Sequence, residues 1–418
     1  MKIQNNPAVH LTYCLNIHPG ETWQDNFSAI KNKALAVKAQ VCPGKPFGLG
    51  LRLGNESVAS LLNGDPAAQG SRSPAHNKNC TNGAALVQLK RFLADNGLYV
   101  FTINGFPYGS FHGTRVKENV YSPDWRAVER LDYTVKLADV LKDLLPVDME
   151  GSISTVPGSY KHWIKSGSDV SEMVKNLAEC ARHLDSVYMQ TGKIICLALE
   201  PEPDCYLETT SEVIAFFENH LFRDGVDYLV TVSGVSRGDA ARIIRRHLGV
   251  CFDTCHIALQ FEDLENSLGI LRRHGIRVPK VQLSSAIRIP VGRQMPVKLG
   301  PFVDPVYLHQ VKVRNADGSV VSYNDLSPGL LEKLAGSNGG EVRAHFHVPL
   351  YFSGDGELGS TSASLTPGFF KMLLESENHL EIETYTYNVL PAELRSRDVV
   401  LSIADEFKWL QEKMAGGS

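Results

Sequence analysis

The feature of this sequence that most restricts its fold is the regular alternation of short apolar runs with longer segments of helical periodicity. Eight runs rich in β-branched and aromatic residues are predicted to be strands, at positions 11–16, 47–53, 98–104, 150–155, 194–200, 249–254, 278–284 and 380–384. The segments between them repeat apolar residues three and four positions apart, as amphipathic helices do. Alternating strands and helices build a parallel sheet, and eight such units close a (β/α)8 TIM barrel. We therefore predict one α/β domain over residues 1–418.

Three stretches exceed a minimal barrel, which needs roughly 250 residues. Residues 63–80 are rich in Gly, Ser, Pro, Ala and Asn and lack periodicity, so they predict a mobile loop. Residues 104–125 form a long loop after the third strand, on the face that carries the active site in such barrels. Residues 306–350 form an insertion before the last strand, and the Asp317-Gly318 pair within it is typical of a hairpin turn.

Polar side chains close four of the predicted apolar strands: Glu200, Asp253, Gln282 and Glu383. The C-terminal strand ends of a TIM barrel meet at its catalytic face, so we expect these side chains to lie close together. A carboxylate buried alone is costly to desolvate, and one shared cation would satisfy several of them at once. The pattern therefore predicts a metal centre.

Two histidine-containing segments add further donors. Asp253 and His256 stand in an Asp-Thr-Cys-His motif where the chain turns after a strand, and His345 and His347 share one face of an extended segment. Mixed carboxylate, amide and imidazole ligands suit divalent ions, and the histidines favour Mn²⁺ or Zn²⁺ over Mg²⁺.

Neighbouring residues compete for some of these roles. Glu202 or Asp204 could replace Glu200 or cap the following helix, and Glu381 shares the face of Glu383. Cys251 precedes the Asp-Thr-Cys-His motif and Cys255 lies inside it, but thiolate ligands usually come in clusters. Each acid alone could also be a salt-bridge partner, so the prediction depends on the group as a whole.

Charge and hydropathy exclude several classes of protein. A formal net charge of −4 argues against binding to nucleic acid. No apolar run approaches the roughly 20 residues of a membrane span. The short polar start and the eight cysteines without a Cys-x-x-Cys pair predict a cytoplasmic protein with reduced thiols.

Nearly end to end, the chain resembles the bacterial family of metabolite traffic proteins called EboE, within the xylose isomerase-like TIM-barrel superfamily. The segments that carry the resemblance are 11–21, 101–109, 151–157, 199–204, 253–256, 281–285, 345–349 and 383–386. The superfamily includes sugar epimerases and endonuclease IV-type phosphodiesterases.

In the epimerases, strand-end positions similar to Glu200, Asp253, Gln282 and Glu383 bind the metal, and a His follows the Asp as His256 does here. Gln282 departs from the pattern because relatives have a histidine at that position. The endonuclease relatives take histidine ligands from a segment before the last strand, and His347 is similar to these. The resemblance further implies that Glu200 and Glu383 exchange a proton with the substrate.

The resulting expectation is a metal-dependent isomerase or epimerase that acts on a small, sugar-like or polar metabolite in an ebo-type precursor pathway. The EboE family is associated with a gene cluster that handles precursor metabolites, so other proteins of that cluster are the expected partners. Phosphoester hydrolysis and non-catalytic metabolite binding are the alternatives. The residues expected to contact the substrate are His18, Arg52, Asn104, His112 and His345.

Overall fold

The structure, a computed structural model, describes residues 1–3, 6–63, 83–109, 117–337, 339–354, 356–375, 379–392, 395 and 398–415. The predicted loop at 63–80 lies outside the described residues except for Asn63, which ends a helix. His112 also lies outside them. No helix within the described part of the chain is long and apolar enough to cross a membrane.

Within the described residues, fourteen strands form two sheets. Their bounds are β1 Lys2–Ile3, β2 Asn6–Tyr13, β3 Phe47–Arg52, β4 Leu98–Asn104, β5 Gly151–Thr155, β6 Ile195–Leu199, β7 Leu248–Asp253, β8 Arg277–Leu283, β9 Ile287–Pro290, β10 Val311–Arg314, β11 Val320–Tyr323, β12 Glu341–Ala344, β13 Gly359–Ser360 and β14 His379–Ile382.

Fifteen α-helices are described. Their bounds are α1 Trp23–Ala29, α2 Leu35–Val41, α3 Asn55–Asn63, α4 Ala84–Asp95, α5 Val128–Leu144, α6 Gly167–Thr191, α7 Thr210–Phe216, α8 Val226–Ser233, α9 Arg237–His247, α10 Thr254–Leu259, α11 Leu264–Arg273, α12 Met295–Leu299, α13 Pro328–Ala335, α14 Pro367–Leu374 and α15 Val399–Ala415. Short π-helical segments at Ile30–Ala34 and Phe217–Gly225 join α1 to α2 and α7 to α8.

The larger sheet is a TIM barrel. Eight parallel strands follow the order β2-β14-β8-β7-β6-β5-β4-β3, and a parallel bridge between Cys14 and Gly50 closes the ring. All eight predicted strands are confirmed, although the first begins at Asn6 rather than at Leu11. β1 pairs antiparallel with β2 outside the ring. The closed ring of eight parallel strands therefore confirms the predicted (β/α)8 fold.

Polar residues occupy the centre of the barrel as well as its rim. Lys280 of β8 and Glu381 of β14 are fully buried and lie 2.6 Å apart, Nζ to Oε2. A Cβ atom on Gly50 would stand 1.9 Å from Glu381 Oε1, so only glycine fits at this position of β3. Glu383 follows Glu381 by two residues, so both side chains point to the same side of the extended chain. The ion pair therefore lies one layer of side chains deeper in the barrel than Glu383.

The second sheet is an insertion between β8 and β14. Its five antiparallel strands follow the order β11-β10-β12-β9-β13 and come from residues 287–360, a wider stretch than 306–350. The predicted hairpin is present, with β10 and β11 joined across Asn315–Ser319. β9 and β13 were not predicted, because runs of four and two residues are too short for a recognisable pattern. The segment after β12 leads directly to the C-terminal rim of the barrel.

Candidate metal centre

Three carboxylates meet at the C-terminal rim. Glu200, Asp253 and Glu383 end or follow β6, β7 and β14, and each offers an oxygen within 4.8 Å of the other two. All three side chains are buried. We call these residues the carboxylate set. The sequence predicted that they would come together, and the structure places them together.

The carboxylate set is short of hydrogen-bond donors. Oε2 of Glu200 and Oδ2 of Asp253 are buried without a hydrogen-bond partner. Burial raises the pKa of Glu200 well above its usual value, and the nearby charge of Asp253 raises it further. Burial also raises the pKa of Glu383, with added repulsion from Glu200 and Asp253. Unpartnered oxygens and mutual repulsion are the features that a bound cation removes.

Two amides hold Glu383 in place. Oε1 of Glu383 accepts hydrogen bonds from Nδ2 of Asn16 at 2.8 Å and from Nδ2 of Asn104 at 3.0 Å. Asn104 ends β4 and was expected to contact the substrate. In the structure its amide binds Glu383, and it also lines the cavity described below.

Three imidazoles converge beside the carboxylates. Nε2 of His345 lies 3.0 Å from Nε2 of His256 and 3.2 Å from Nε2 of His347. We call these residues the histidine set. His256 lies on α10, whose N-terminus is capped by Asp253, and the other two follow β12 of the inserted sheet.

The opposite ring nitrogens determine the protonation of the histidine set. The Nδ1 atoms of His256, His345 and His347 contact Pro201 O at 3.0 Å, Gln310 Oε1 at 2.6 Å and Glu383 O at 2.9 Å. These oxygens can only accept, so each Nδ1 donates a proton and each Nε2 presents a lone pair. Nε2 of Gln310 donates to Pro203 O, which fixes the orientation of that amide.

Burial favours the uncharged form of the histidine set. Burial lowers the pKa of His347 to about 4 and lowers the pKa values of His345 and His256 below the usual value. Three neutral imidazoles therefore turn their lone pairs toward one another at about the contact distance of nitrogen atoms. Neutral imidazole with its other nitrogen hydrogen-bonded is the form that ligates metals, so these residues fit a cation.

The two sets are adjacent. Asp253 offers an oxygen within 4.8 Å of the donor nitrogens of His256 and His347, and Glu202 does the same for His256 and His345. Cys255 also lies within this distance of His345 and His347. The donors therefore form four overlapping triads, and Asp253 belongs to two of them.

Gln282 is placed differently from the other predicted ligands. Its Oε1, the atom that could bind a metal, accepts a hydrogen bond from Sγ of Cys251 at 3.0 Å. Its Nε2 is buried without a hydrogen-bond partner. Gln282 lies beside Asp253 in the register of β7 with β8, and the thiol uses one of the two lone pairs of its amide oxygen.

The competing acids have other partners. Glu381 pairs with Lys280 in the barrel interior, and Asp204 pairs with Lys312 at 3.0 Å. Glu202 accepts a hydrogen bond from the Tyr121 hydroxyl at 2.8 Å, and burial raises its pKa to about 8. Of these acids only Glu202 faces the candidate site.

Two expected substrate contacts lie elsewhere. His18 is buried and bonds the Tyr13 hydroxyl at 3.0 Å. Arg52 binds Gly20 O, Gly109 O and the carboxylate of Glu21. Neither His18 nor Arg52 lines the described cavity.

A small cavity of about 50 Å³ opens onto the donors. Its lining combines a polar floor with an aromatic and apolar wall. The lining residues are Asn16, Asn104, Phe106, Pro107, Lys117, Val120, Tyr121, Glu200, Glu202, His256, Tyr307, Leu308, His345, Glu383 and Tyr385. Sequence reasoning missed most of the wall, because these aromatic residues come from loops without a periodic pattern.

Comparison with models of known protein families and with curated proteins finds no match. Among solved structures, the chain is similar to the probable 3-DHS dehydratase AsbF from Bacillus anthracis, with 13% identity, a TM-score of 0.46, and coverage of 96% of this chain and 98% of that one. A D-tagatose 3-epimerase-like protein gives 10% identity and a TM-score of 0.45, with coverage of 97% of this chain and 99% of that one. A xylose isomerase domain protein from Planctomyces limnophilus gives 13% identity and a TM-score of 0.36, with coverage of 68% of this chain and 76% of that one.

Proposed function

We propose that this chain is a divalent-metal-dependent enzyme that isomerises or epimerises a small polar metabolite in the cavity above the carboxylate set. The observation that carries the proposal is the convergence of three neutral Nε2 atoms beside two carboxylate oxygens that have no hydrogen-bond partner. A divalent cation is the simplest species that satisfies both kinds of donor. Mn²⁺ and Zn²⁺ suit this combination best.

The carboxylate set and the histidine set, including His345, would hold the metal. A divalent ion bound there would polarise a carbonyl or hydroxyl oxygen of the substrate. The remaining chemistry belongs to the protein side chains.

Glu200 and Glu383 are suited to carry the proton. Both line the cavity, and burial raises the pKa of each, which favours the protonated carboxyl that a general acid needs. Their positions at the ends of β6 and β14 place them on different strands, so they can approach one substrate carbon from different sides. Asn16 and Asn104 keep Glu383 oriented.

The cavity supports a sugar-like substrate. Its two kinds of lining match the two faces of a polyol. Hydroxyl groups would bind the floor of carboxylates and amides, while C–H groups would pack against Tyr121, Tyr307 and Tyr385.

Deuterium exchange tests the proposed reaction. Purified protein loaded with Mn²⁺ or Zn²⁺ is incubated with candidate ketoses and aldoses in D2O, and deuterium on substrate carbon is followed by NMR. Exchange that disappears with a chelator is expected, because proton transfer at carbon exposes the proton to solvent. Absence of exchange across the set of sugars, with metal bound, would contradict the isomerase proposal.

Phosphoester hydrolysis is the second candidate. Two of the overlapping donor triads share Asp253, and hydrolases of phosphoesters often hold two ions close together. Metal-dependent turnover of a generic phosphodiester, without deuterium exchange into sugars, would favour this function.

The proposal of a role in an ebo-type precursor metabolite pathway depends on the sequence resemblance alone. In that setting the protein could bind a metabolite without converting it. Binding of a small polar metabolite without turnover of either substrate class would support this carrier function.

A further inference from the structure

Two chain segments that are distant in sequence carry part of the donor atoms. Residues 345–350 leave the inserted sheet with His345 and His347, and residues 383–386 follow β14 with Glu383. Nδ1 of His347 donates to the Glu383 carbonyl, and Oγ1 of Thr386 bonds both N and O of His347. The relative position of the imidazole and the carboxylate depends on how these segments are joined.

A glutamate from the last helix joins the same two segments from behind. Oε1 of Glu406 on α15 accepts the N–H of Leu350 at 3.1 Å and the hydroxyl of Thr384 at 2.7 Å. Leu350 lies three residues after His347, and Thr384 directly follows Glu383. The Glu406 side chain is fully buried.

A carboxyl in this position is costly for the fold. Oε2 of Glu406 is buried without a hydrogen-bond partner, and burial raises the pKa of the group to about 7. An apolar side chain of similar size would fill the same space without desolvating a carboxyl. The carboxyl adds one oxygen that accepts a hydrogen bond from each of the two segments that carry metal donors.

We propose that Glu406 is a positioning residue that fixes His347 relative to Glu383 for metal binding. The inference rests on the proposed metal centre. Glu406 does not touch the cavity or the donor side chains, and it acts through Leu350 and Thr384.

The test compares two substitutions. Glu406→Gln keeps an oxygen acceptor for both bonds, whereas Glu406→Met has a similar length and no acceptor. The control is Asn176→Leu, which removes a buried 2.8 Å bond from α6 to Trp125 O, away from the centre. For each protein, the Kd for Zn²⁺ is measured by competition with a chromophoric chelator, and the visible spectrum of the Co²⁺ form and the melting temperature are recorded.

Loss of a group that orients a metal ligand typically weakens affinity 10- to 100-fold. We expect Glu406→Met to raise the Kd by at least about 10-fold and to shift the Co²⁺ spectrum, while Glu406→Gln stays within about 3-fold of the wild type. Asn176→Leu should lower the melting temperature and leave the Kd and the spectrum unchanged.

Three results would overturn the inference: a wild-type Kd in Glu406→Met, no rescue in Glu406→Gln, or an equal loss of affinity in Asn176→Leu. A wild-type protein that binds neither Zn²⁺ nor Co²⁺ would instead refute the metal centre itself. The two failures are therefore distinguishable.

Discussion

Nε2 of His345 faces Nε2 of His256 at 3.0 Å, and the other nitrogen of each ring is bonded to an oxygen that can only accept. Two lone pairs are thus held against each other in the barrel rim. This arrangement is unfavourable in the metal-free protein and becomes favourable when a cation lies between the rings.

Removing His345 should weaken metal binding. We expect His345→Ala to lower zinc affinity at least about 10-fold, since one imidazole donor is lost and the others lose their packing partner. Metal content after dialysis, measured by atomic absorption, checks this. His274→Ala is the matched control, because His274 is partly exposed and pairs only with Glu218. Equal zinc retention in both variants would show that His345 is not part of the site.

Glu200→Gln should abolish proton transfer while leaving the fold intact. The amide has the same shape but cannot accept the proton, so deuterium exchange into any sugar that the wild type exchanges should slow by about 10²–10⁴-fold. Glu179→Gln on the surface of α6 is the control and should exchange at the wild-type rate. An undiminished rate in Glu200→Gln would assign the proton transfer to another residue.

Glu406 should make the metal-free protein less stable as pH rises. Its pKa is about 7 in the folded protein against 4.5 when unfolded, so the folded state binds more protons between these values. Stability is therefore lost as pH increases from 4.5 through 7, by about 3 kcal/mol in total. Urea denaturation in the presence of a chelator at pH 5 and pH 8 measures the difference.

The Glu406→Gln protein lacks this titration. Its loss of stability between pH 5 and pH 8 should be smaller than that of the wild type by about 3 kcal/mol. Parallel curves for the two proteins would contradict the raised pKa.

The buried ion pair between Lys280 and Glu381 predicts that removing one charge alone destabilises the fold. Lys280→Met leaves the Glu381 carboxylate without its cation in the barrel interior, and the expected loss is about 3–5 kcal/mol in the free energy of unfolding. Lys280→Met combined with Glu381→Leu should recover most of it, because neither buried charge remains. Urea denaturation at one pH compares the three proteins. A single variant as stable as the wild type would argue that the pair contributes nothing.

The barrel and the carboxylate set could be predicted because both depend on local pattern. Apolar strands that end in Glu200, Asp253 and Glu383 identify the rim. The parallel alignment of the barrel strands then brings these three side chains together. Alternation could not distinguish Glu383 from Glu381, since both point into the barrel and only their depth differs.

Other parts of the site depend on contacts between distant segments. Gln310, which orients His345, directly precedes β10 of the inserted sheet, whose pairing was only partly recognisable from the sequence. The hydrogen bond from Cys251 to Gln282 depends on the register between β7 and β8. No spacing rule in the sequence indicates such contacts.

The inserted sheet supplies His345 and His347, whereas the carboxylate set comes from the barrel. A cation that bridges the two would act as a cross-link between parts of the chain that fold from separate strands. Metal uptake would then report that the insertion has docked, and a barrel stripped of residues 287–360 would keep its closed ring of strands but lose two of its three imidazoles. Engineering that shortens this protein should therefore leave that sheet in place.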